Sequence, residues 1–376
     1  MAETKERKIV NKTDRPDNVV ARENEIVSEC KELEAELPSF LSGYFMYLRG
    51  NVLPATRLSY LRDIHFFCRW LCEESGKVEA KLPSELKAED FDRIRGRDVN
   101  VFLDFCRHYE KETENAVYVY ENHNRTLARK KSSLSGLFRY LYRDELISQN
   151  ITDLFDPIKV PKPGEREIKA LQDDEVMVML DAVSTGAGLT KKELSYWEKT
   201  KYRDKAILIL FLTYGLRLSE LRELNISSFN FDRGEFKIYR KRGKESLMPI
   251  NRSVEQVLTQ YIELERPKED ALSPEYQDAL FLSLQGKRMT DRQIRELVKK
   301  YTSIGMQTSR GGGYSPHKLR ATAATSLIGR GNDIYDVQAL LDHENVTTTQ
   351  LYAAHKLGVR RDLVKGMEWE IERNEK

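Results

Sequence analysis

The most informative part of this chain reads SPHKLRATAATSL at residues 315–327 and, after an apolar helical pattern, LDHENVTTTQLYAAH at residues 341–355. Ser315 followed by Pro316 predicts a helix start, because Ser caps free backbone donors and Pro at the first helical position loses no hydrogen bond. His317 and Arg320 then project from one face, beside the N–H groups that make helix N-termini anion sites. The pattern predicts an oxyanion site, with an ordinary surface pair as the alternative.

The second stretch offers a nucleophile. Asp342 and His343 close the apolar helix, and a Thr-rich turn is expected to start a short helix that carries Tyr352. His343 and Tyr352 can therefore converge. A tyrosine with its ordinary pKa of about 10 is a poor nucleophile, so it acts only where cations favour the phenolate or the transition state. Packing of Tyr352 in a core is the alternative interpretation.

Two upstream segments supply further cations. The sequence YGLRLSEL at residues 214–221 places Arg217 directly after an apolar run, which predicts a buried helix for residues 202–214, and Glu220 is a carboxylate near enough to pair with it. The sequence EFKIYRKRGKESLMPI at residues 235–250 alternates, turns at Gly243 and resumes, which predicts a β-hairpin. The turn of this hairpin is basic and bears Arg240, Lys241, Arg242 and Lys244.

Together these segments resemble the catalytic boxes of the tyrosine site-specific recombinases, the family of lambda integrase, Cre and the Xer enzymes. The resemblance covers roughly residues 40–355, and the chain looks most like the XerS-like enzymes of Gram-positive bacteria that work as a single recombinase. It implies a supporting role for Glu220 and, as an alternative to Lys241, a catalytic role for Lys244. The chain departs from the family pattern at Asp342, where members often have Gly. Asp tolerates a left-handed backbone better than most residues, so the turn expected there can still form. The implied catalytic residues are Arg217, Lys241, His317, Arg320, His343 and the nucleophile Tyr352.

The resemblance implies an enzyme that cuts and rejoins DNA strands at a specific site through a 3′-phosphotyrosyl intermediate. Chromosome dimer resolution is the expected task, and integration or excision of a mobile element and inversion of a promoter are the alternatives. This chemistry needs no metal ion, no cofactor and no nucleotide. The acidic triplet at residues 173–175 precedes apolar residues at helical spacing, so it is predicted to start a helix instead of binding a metal. A catalytically silent DNA-binding regulator and a relaxing type IB topoisomerase are competing interpretations.

Composition limits the remaining possibilities. A chain of 376 residues can bury two cores. Its 62 Lys and Arg against 60 Asp and Glu mean that any basic surface must come from placement and not from total charge. No long apolar run and no signal-peptide pattern is present, so the protein is expected to be soluble and cytoplasmic. The four cysteines lack zinc spacing and are predicted to be free thiols.

The expected fold is mainly α-helical, with two domains that close as a clamp on DNA. Residues 1–37 form a disordered or helical extension, 38–155 an all-helical, SAM-like core-binding domain that binds DNA, and 156–169 a Pro-rich linker. Residues 170–352 form a mixed catalytic domain with a small β-hairpin or sheet. Residues 353–376 form an apolar tail that packs either on its own domain or on a neighbouring protomer. The resemblance further implies a homo-tetramer that holds two double-stranded DNA sites.

One predicted helix, from about Asn124 to Leu146, is strongly basic on the face away from its apolar stripe. No acidic residue lies between Asn122 and Arg143, which favours contact with DNA phosphates over a merely solvated face. The hairpin turn supplies a second basic group. The expected DNA-contacting residues are Arg125, Arg129, Lys130, Lys131, Arg139 and Arg143 on the helix and Arg240, Arg242 and Lys244 on the hairpin.

Overall fold

A computed structural model describes residues 15–113, 116–161, 169–240 and 243–342. The chain divides into two units, Met1–Pro161 and Lys162–Lys376, and the division falls within the segment predicted as a linker. Helices dominate both units, with small antiparallel sheets, so the predicted mainly helical fold is confirmed. Among the described residues, none of the helices is long and apolar enough to cross a membrane.

The first unit is a helical bundle around an aromatic core. Phe67 lies at its centre and contacts Phe91, Phe102 and Phe138 edge to face. The apolar side chains recur every three or four residues along each helix, which turns one stripe of each towards these rings. The helices are α1 (Asp17–Glu36), α2 (Ser42–Asn51), α3 (Pro54–Glu73), α4 (Ala88–Asp92), α5 (Gly96–Phe105) and α6 (Asn124–Arg143).

A β-hairpin interrupts this bundle, so the expectation of an all-helical region from 38 to 155 is wrong at this point. Strands β1 (His108–Thr113) and β2 (Ala116–Glu121) pair antiparallel, and Tyr109 stacks on Tyr120 at 4.9 Å between ring centroids. Strand β2 is rich in β-branched and aromatic residues, which favour strands. Its side chains are exposed on both faces, so no alternation of polar and apolar residues marked it in the sequence.

Helix α6 ends at Arg143, before the predicted end at Leu146. Glu145 takes a left-handed conformation with φ 56°, and the N–H of Leu146 donates to the carbonyl of Leu141 at 2.9 Å. This is the hydrogen-bond pattern of a Schellman turn, which usually requires Gly at the left-handed position. The missing glycine explains why the sequence did not reveal the stop.

The cations of α6 do not share one environment. Lys130 is 8% exposed and its ammonium group lies 3.3 Å from the buried carboxylate of Asp63 on α3, which corrects its prediction as a surface DNA contact. Arg129 also binds Asp63, and Ser133 donates to it at 2.8 Å. Lys131 donates to the carbonyl of Asp156 at 2.8 Å. The fold therefore brings an acidic residue to the face of a helix that contains none of its own.

Exposed positions on α6 still form a stripe. Arg125, Arg129, Ser132, Arg139 and Arg143 are exposed and recur at the spacing of one helix face. Arg143 also lies over the rings of Tyr47 and Tyr140, at 5.1 and 4.8 Å from their centroids. We call these five residues the α6 stripe.

The second unit surrounds α9 (Lys201–Tyr214), whose Ala206, Ile207, Leu208 and Phe211 have no exposed surface. The buried helix predicted for residues 202–214 is thus confirmed. The other helices are α7 (Asp173–Thr185), α8 (Lys191–Trp197), α10 (Leu218–Arg222), α11 (Arg252–Leu264), α12 (Asp291–Gly305), α13 (Pro316–Gly329) and α14 (Ile334–Leu341). A small antiparallel sheet has the order β3 (Phe229–Asn230), β4 (Glu235–Tyr239) and β5 (Glu245–Pro249). Strands β4 and β5 form the predicted hairpin.

The buried carboxylate of Asp63 gives a stability prediction for the first unit. Asp63→Asn leaves the ammonium group of Lys130 buried without its counter-charge, so we expect a loss of about 3–5 kcal/mol in the free energy of unfolding. Urea unfolding, followed through hydrogen exchange of peptides from α3 and α6, measures it. Asp104→Asn, which removes an exposed partner of Arg107, is the matched control and is expected to change nothing measurable. Equal stability of both variants would contradict this account.

Candidate active site

The start of α13 brings two predicted site residues into one turn. The helix begins at Pro316 as predicted, although the side chain of Ser315 makes no capping hydrogen bond. Arg320 is 3% exposed and points into the unit, where its Nη1 donates to the carbonyl of Gly215 at 2.6 Å. His317 lies one turn earlier, nearer the surface. A guanidinium and an imidazole thus share the N-terminal turn, where the helix dipole favours anions.

Gly215 makes the approach of α13 and α14 to α9 possible. It ends α9 in a left-handed conformation with φ 56° and ψ 37°, where a glycine is favoured. A Cβ atom at this position would lie 2.5 Å from Cδ2 of Leu341 and 3.5 Å from Cγ of Arg320. The chain then turns into α10, and Arg217 occupies the position just before its first residue.

A buried carboxylate holds the arginines of this site. Glu220 is 3% exposed and accepts hydrogen bonds at 2.7 Å from both the backbone N–H and the Nη1 of Arg217. Its oxygens also lie 4.0 Å from Nη1 of Arg240 and 4.0 Å from Nη1 of Arg320. Arg217 and Arg320 are predicted catalytic residues, and the structure brings them to the same carboxylate. Glu220 can therefore fix both guanidinium groups in place.

The same arginines bind the carboxyl end of α14. Arg240 donates to the carbonyl of Leu340 at 2.8 Å, Arg320 donates to that of Leu341, and Arg217 donates to that of Asp342 at 2.9 Å. The last carbonyls of a helix have no partners within the helix and carry its negative dipole end. Three guanidinium groups satisfy them here, immediately before His343 in the sequence.

Asp342 adds a carboxylate to the arginine cluster. It caps α14 in a left-handed conformation with φ 50°, so the expected tolerance of Asp for this backbone is confirmed. Its Oδ1 lies 3.1 Å from Nζ of Lys244 and its Oδ2 lies 3.6 Å from Nη1 of Arg217. Burial acts to raise the pKa of Asp342, but the hydrogen bond from Lys244 and the charges of Arg240, Lys244 and Arg217 hold the pKa below its usual value. Lys244 is thereby tied to the end of α14.

Electrostatics also act on His317. Partial burial, the charge of Arg320 and the charge of Arg217 all lower the pKa of the imidazole below its ordinary value. The lowered pKa favours the neutral imidazole, which can accept a proton from a group beside it.

The predicted site residues of this unit differ in outcome, and Lys244 lies beside Asp342. Arg217, His317 and Arg320 lie together. Lys241, Arg242, His343 and Tyr352 lie outside the described residues. Arg240, expected to contact DNA, is instead 7% exposed and bound to protein atoms, which is a correction. The signal for this burial was present in the sequence, because Phe236, Ile238 and Arg240 alternate along β4 and so face the same side.

The lowered pKa of His317 can be measured in the DNA-free protein. The imidazole is expected to titrate below the ordinary value of about 6.5, because partial burial disfavours its charged form and protonation would add a third positive charge beside two arginines. Proton NMR of the ring over pH 4–8 gives the value. Arg217→Gln removes one of the charges and is expected to move the midpoint upward. An unshifted His317, or no response to Arg217→Gln, would show that the arginine cluster does not act on this ring.

Comparison with known proteins supports the resemblance drawn from the boxes. The model of the phage integrase family matches residues 169–357, about half of the chain. The tyrosine recombinase XerC of Caldanaerobacter subterraneus subsp. tengcongensis is 32% identical over 324 residues, which cover 84% of this chain and 82% of that protein. The XerC of Syntrophus aciditrophicus is 30% identical over 315 residues, covering 82% of this chain and 90% of that protein.

The fold agrees with a solved recombinase. The crystal structure of the XerH site-specific recombinase bound to a palindromic difH substrate, a post-cleavage complex, has a TM-score of 0.59 and 17% identity, covering 91% of this chain and 88% of that one. The arginine cluster lies within the segment that the family model matches. Family, relatives and fold agree, and we conclude that this chain belongs to the phage integrase family and is a tyrosine site-specific recombinase.

Proposed function

We propose that this recombinase cuts and rejoins double-stranded DNA in a site where Arg217 and Arg320 bind the reacting phosphate. Tyr352 is the nucleophile, and a 3′-phosphotyrosyl link is the intermediate. The observation that supports it best is the pair of guanidinium groups held by Glu220 beside the N-terminal turn of α13. Fixed guanidinium groups suit the nonbridging oxygens of a phosphodiester, because they stabilise charge that develops in the transition state without reorganising. His317 stands in the same turn.

In this mechanism the phenolic oxygen of Tyr352 attacks phosphorus and the bond from phosphorus to the 5′ oxygen breaks. His317 assists transfer of the phenolic proton, and Lys241, or Lys244 in its place, donates a proton to the departing 5′ oxygen. His343 donates to a phosphate oxygen. Attack of another strand's 5′ hydroxyl on the phosphotyrosyl link reverses the step and restores a DNA backbone. No high-energy nucleotide is consumed, because the phosphotyrosyl link retains the bond energy.

The α6 stripe is the proposed DNA contact of the first unit. Its exposed arginines suit a phosphate backbone, whereas Lys130 is excluded from this role because its side chain is buried against Asp63. Lys131, Arg242 and Lys244 stay proposed contacts. The XerH recombinase, which is similar in fold, was solved bound to its palindromic difH substrate, and this supports DNA as the partner.

The larger assembly and the biological task are proposals of the same kind. We infer a homo-tetramer on two DNA sites, with the two domains closing as a clamp and residues 353–376 packing on their own domain or a neighbour. The XerC relatives favour chromosome dimer resolution in the cytoplasm over integration of a mobile element or promoter inversion. The XerS-like subtype stays a prediction. Sequencing the DNA bound to the purified protein distinguishes these tasks by the location of the target.

Covalent capture tests the reaction. On a nicked suicide duplex that carries the selected target, the wild-type protein is expected to leave a denaturant-resistant DNA adduct. Tyr352→Phe removes the nucleophile and should abolish the adduct, and Arg217→Gln should slow its formation by about 100-fold to 1,000-fold. Gel electrophoresis after denaturation measures both.

The control for capture is Tyr335→Phe, which changes an exposed tyrosine of α14 and should leave the adduct unaffected. An adduct that persists in Tyr352→Phe would contradict the proposed nucleophile. Binding without any adduct from the wild-type protein would indicate a DNA-binding regulator. Relaxed circles without recombinants would indicate a topoisomerase.

The salt dependence of binding tests the α6 stripe. Arg139→Ala removes one phosphate contact, so the slope of log affinity against log salt should fall by about one unit. Fluorescence anisotropy with the selected duplex measures it. Arg69→Ala is the matched control, because Arg69 is an exposed cation of the same unit already paired with Glu73. Equal slopes for both variants would remove Arg139 from the interface.

A further inference from the structure

Arg240 is a buried cation of the second unit to which the proposed reaction gives no task. It follows β4 on the inner face, in line with Phe236 and Ile238, and is 7% exposed. Burying a guanidinium costs free energy unless partners compensate for it. Burial lowers the pKa of Arg240, and the charges of Glu220 and Asp342 act in the opposite direction. Such a position calls for a role inside the protein.

The guanidinium group of Arg240 joins three elements. Its Nη2 donates to the carbonyl of Leu340 at the end of α14 at 2.8 Å, and its Nε donates to Oγ of Ser246 on β5 at 3.1 Å. Its Nη1 lies 4.0 Å from Glu220, the carboxylate that also holds Arg217. A planar fork with several fixed donors can make these contacts together, which the single ammonium group of a lysine cannot.

The backbone of Arg240 closes the turn that carries the lysines. Its N–H donates to the carbonyl of Lys244 at 2.8 Å, and its own carbonyl accepts from the N–H of Gly243 at 3.2 Å. Lys241 is the next residue in the chain, and Lys244 pairs with Asp342 at 3.1 Å. One residue therefore connects the base of this turn to the same end of α14 that Arg217 and Arg320 bind.

We propose that Arg240 is a positioning residue, which fixes the lysine-bearing turn of the β4–β5 hairpin against the carboxyl end of α14. The general-acid lysine and the phosphate-binding arginines then act in one rigid frame. This inference rests on the proposed function, since Arg240 would position the lysine that donates a proton to the 5′ oxygen. It also explains why a cation in a basic turn is turned inward.

A sulfur substitution in the substrate separates this role from a general structural one. In a suicide duplex with a 5′-bridging phosphorothiolate, the leaving group is a thiolate, which departs without a proton because a thiol is far more acidic than an alcohol. Loss of the general acid, or of its position, then ceases to matter. Loss of phosphate binding still matters on both substrates.

The two substrates should distinguish Arg240 from Arg217. Arg240→Met should form the adduct about 100-fold more slowly than wild type on the oxygen substrate and within about threefold of wild type on the sulfur substrate. Its ratio of oxygen to sulfur rates should match that of Lys241→Met or Lys244→Met, whichever of the two is rescued by sulfur. Arg217→Gln should be slow on both substrates.

Two further variants guard against loss of the fold. Arg240→Lys keeps the charge but loses the fork, so it should show a smaller defect with the same rescue by sulfur. Arg266→Met is the matched control, because Arg266 also binds a distant carbonyl, that of Ala279, at 3.0 Å and lies outside the arginine cluster. It should cleave both substrates at the wild-type rate, and anisotropy checks that each variant still binds the duplex.

Each failure has its own meaning. No adduct from the wild-type protein overturns the proposed function itself. If a lysine variant is rescued by sulfur while Arg240→Met and Arg240→Lys stay equally slow on both substrates, Arg240 does not position the general acid. Wild-type rates for both Arg240 variants on the oxygen substrate would overturn the inference as well.

Discussion

One buried carboxylate organises the second unit of this recombinase. Glu220 lies within 4.0 Å of the guanidinium groups of Arg217, Arg240 and Arg320, which come from different parts of the chain. Like charges at such separations repel one another in a protein interior, and a shared anion offsets that repulsion. The cluster can therefore exist before any phosphate arrives, which is the preorganisation that catalysis by fixed charges needs.

The partners of the arginines serve a second purpose. The carbonyls of Leu340, Leu341 and Asp342 are the ones that α14 leaves without internal partners. Arg217 and Arg320, the groups proposed to hold the phosphate, bind two of them and thereby also fix the described end of α14. The hydrogen bonds that hold the end of α14 thus also hold the guanidinium groups in place. Asp342 extends this arrangement to Lys244 on the hairpin.

Much of the fold and of the site followed from local sequence patterns. Pro316, Gly215 and the alternation around Gly243 are short-range signals, and the helix start, the helix end and the hairpin lie where they indicate. Catalytic roles came from the resemblance, because spacing alone does not show that Arg217 and Arg320 meet.

The hairpin of β1 and β2 was missed because its strands are exposed on both faces and lack a periodic signal. Counting charge along α6 likewise concealed Asp63, which is 67 residues away from Lys130 in sequence. Lys130 and Arg240 each occupy a position in a buried stripe. At these two positions the periodicity of the apolar residues predicted burial better than the charge of the side chain predicted exposure.

Gly215 shows how little tolerance such a frame has. A single methyl group at this position would lie 2.5 Å from Cδ2 of Leu341, so the buried side chain of this residue, whose carbonyl Arg320 holds, would have to shift. A displacement of about 1 Å in a reacting group is enough to cost roughly 100-fold in rate. Even the smallest enlargement of this residue, which has no chemistry of its own, would thus disturb a side chain beside the arginine cluster.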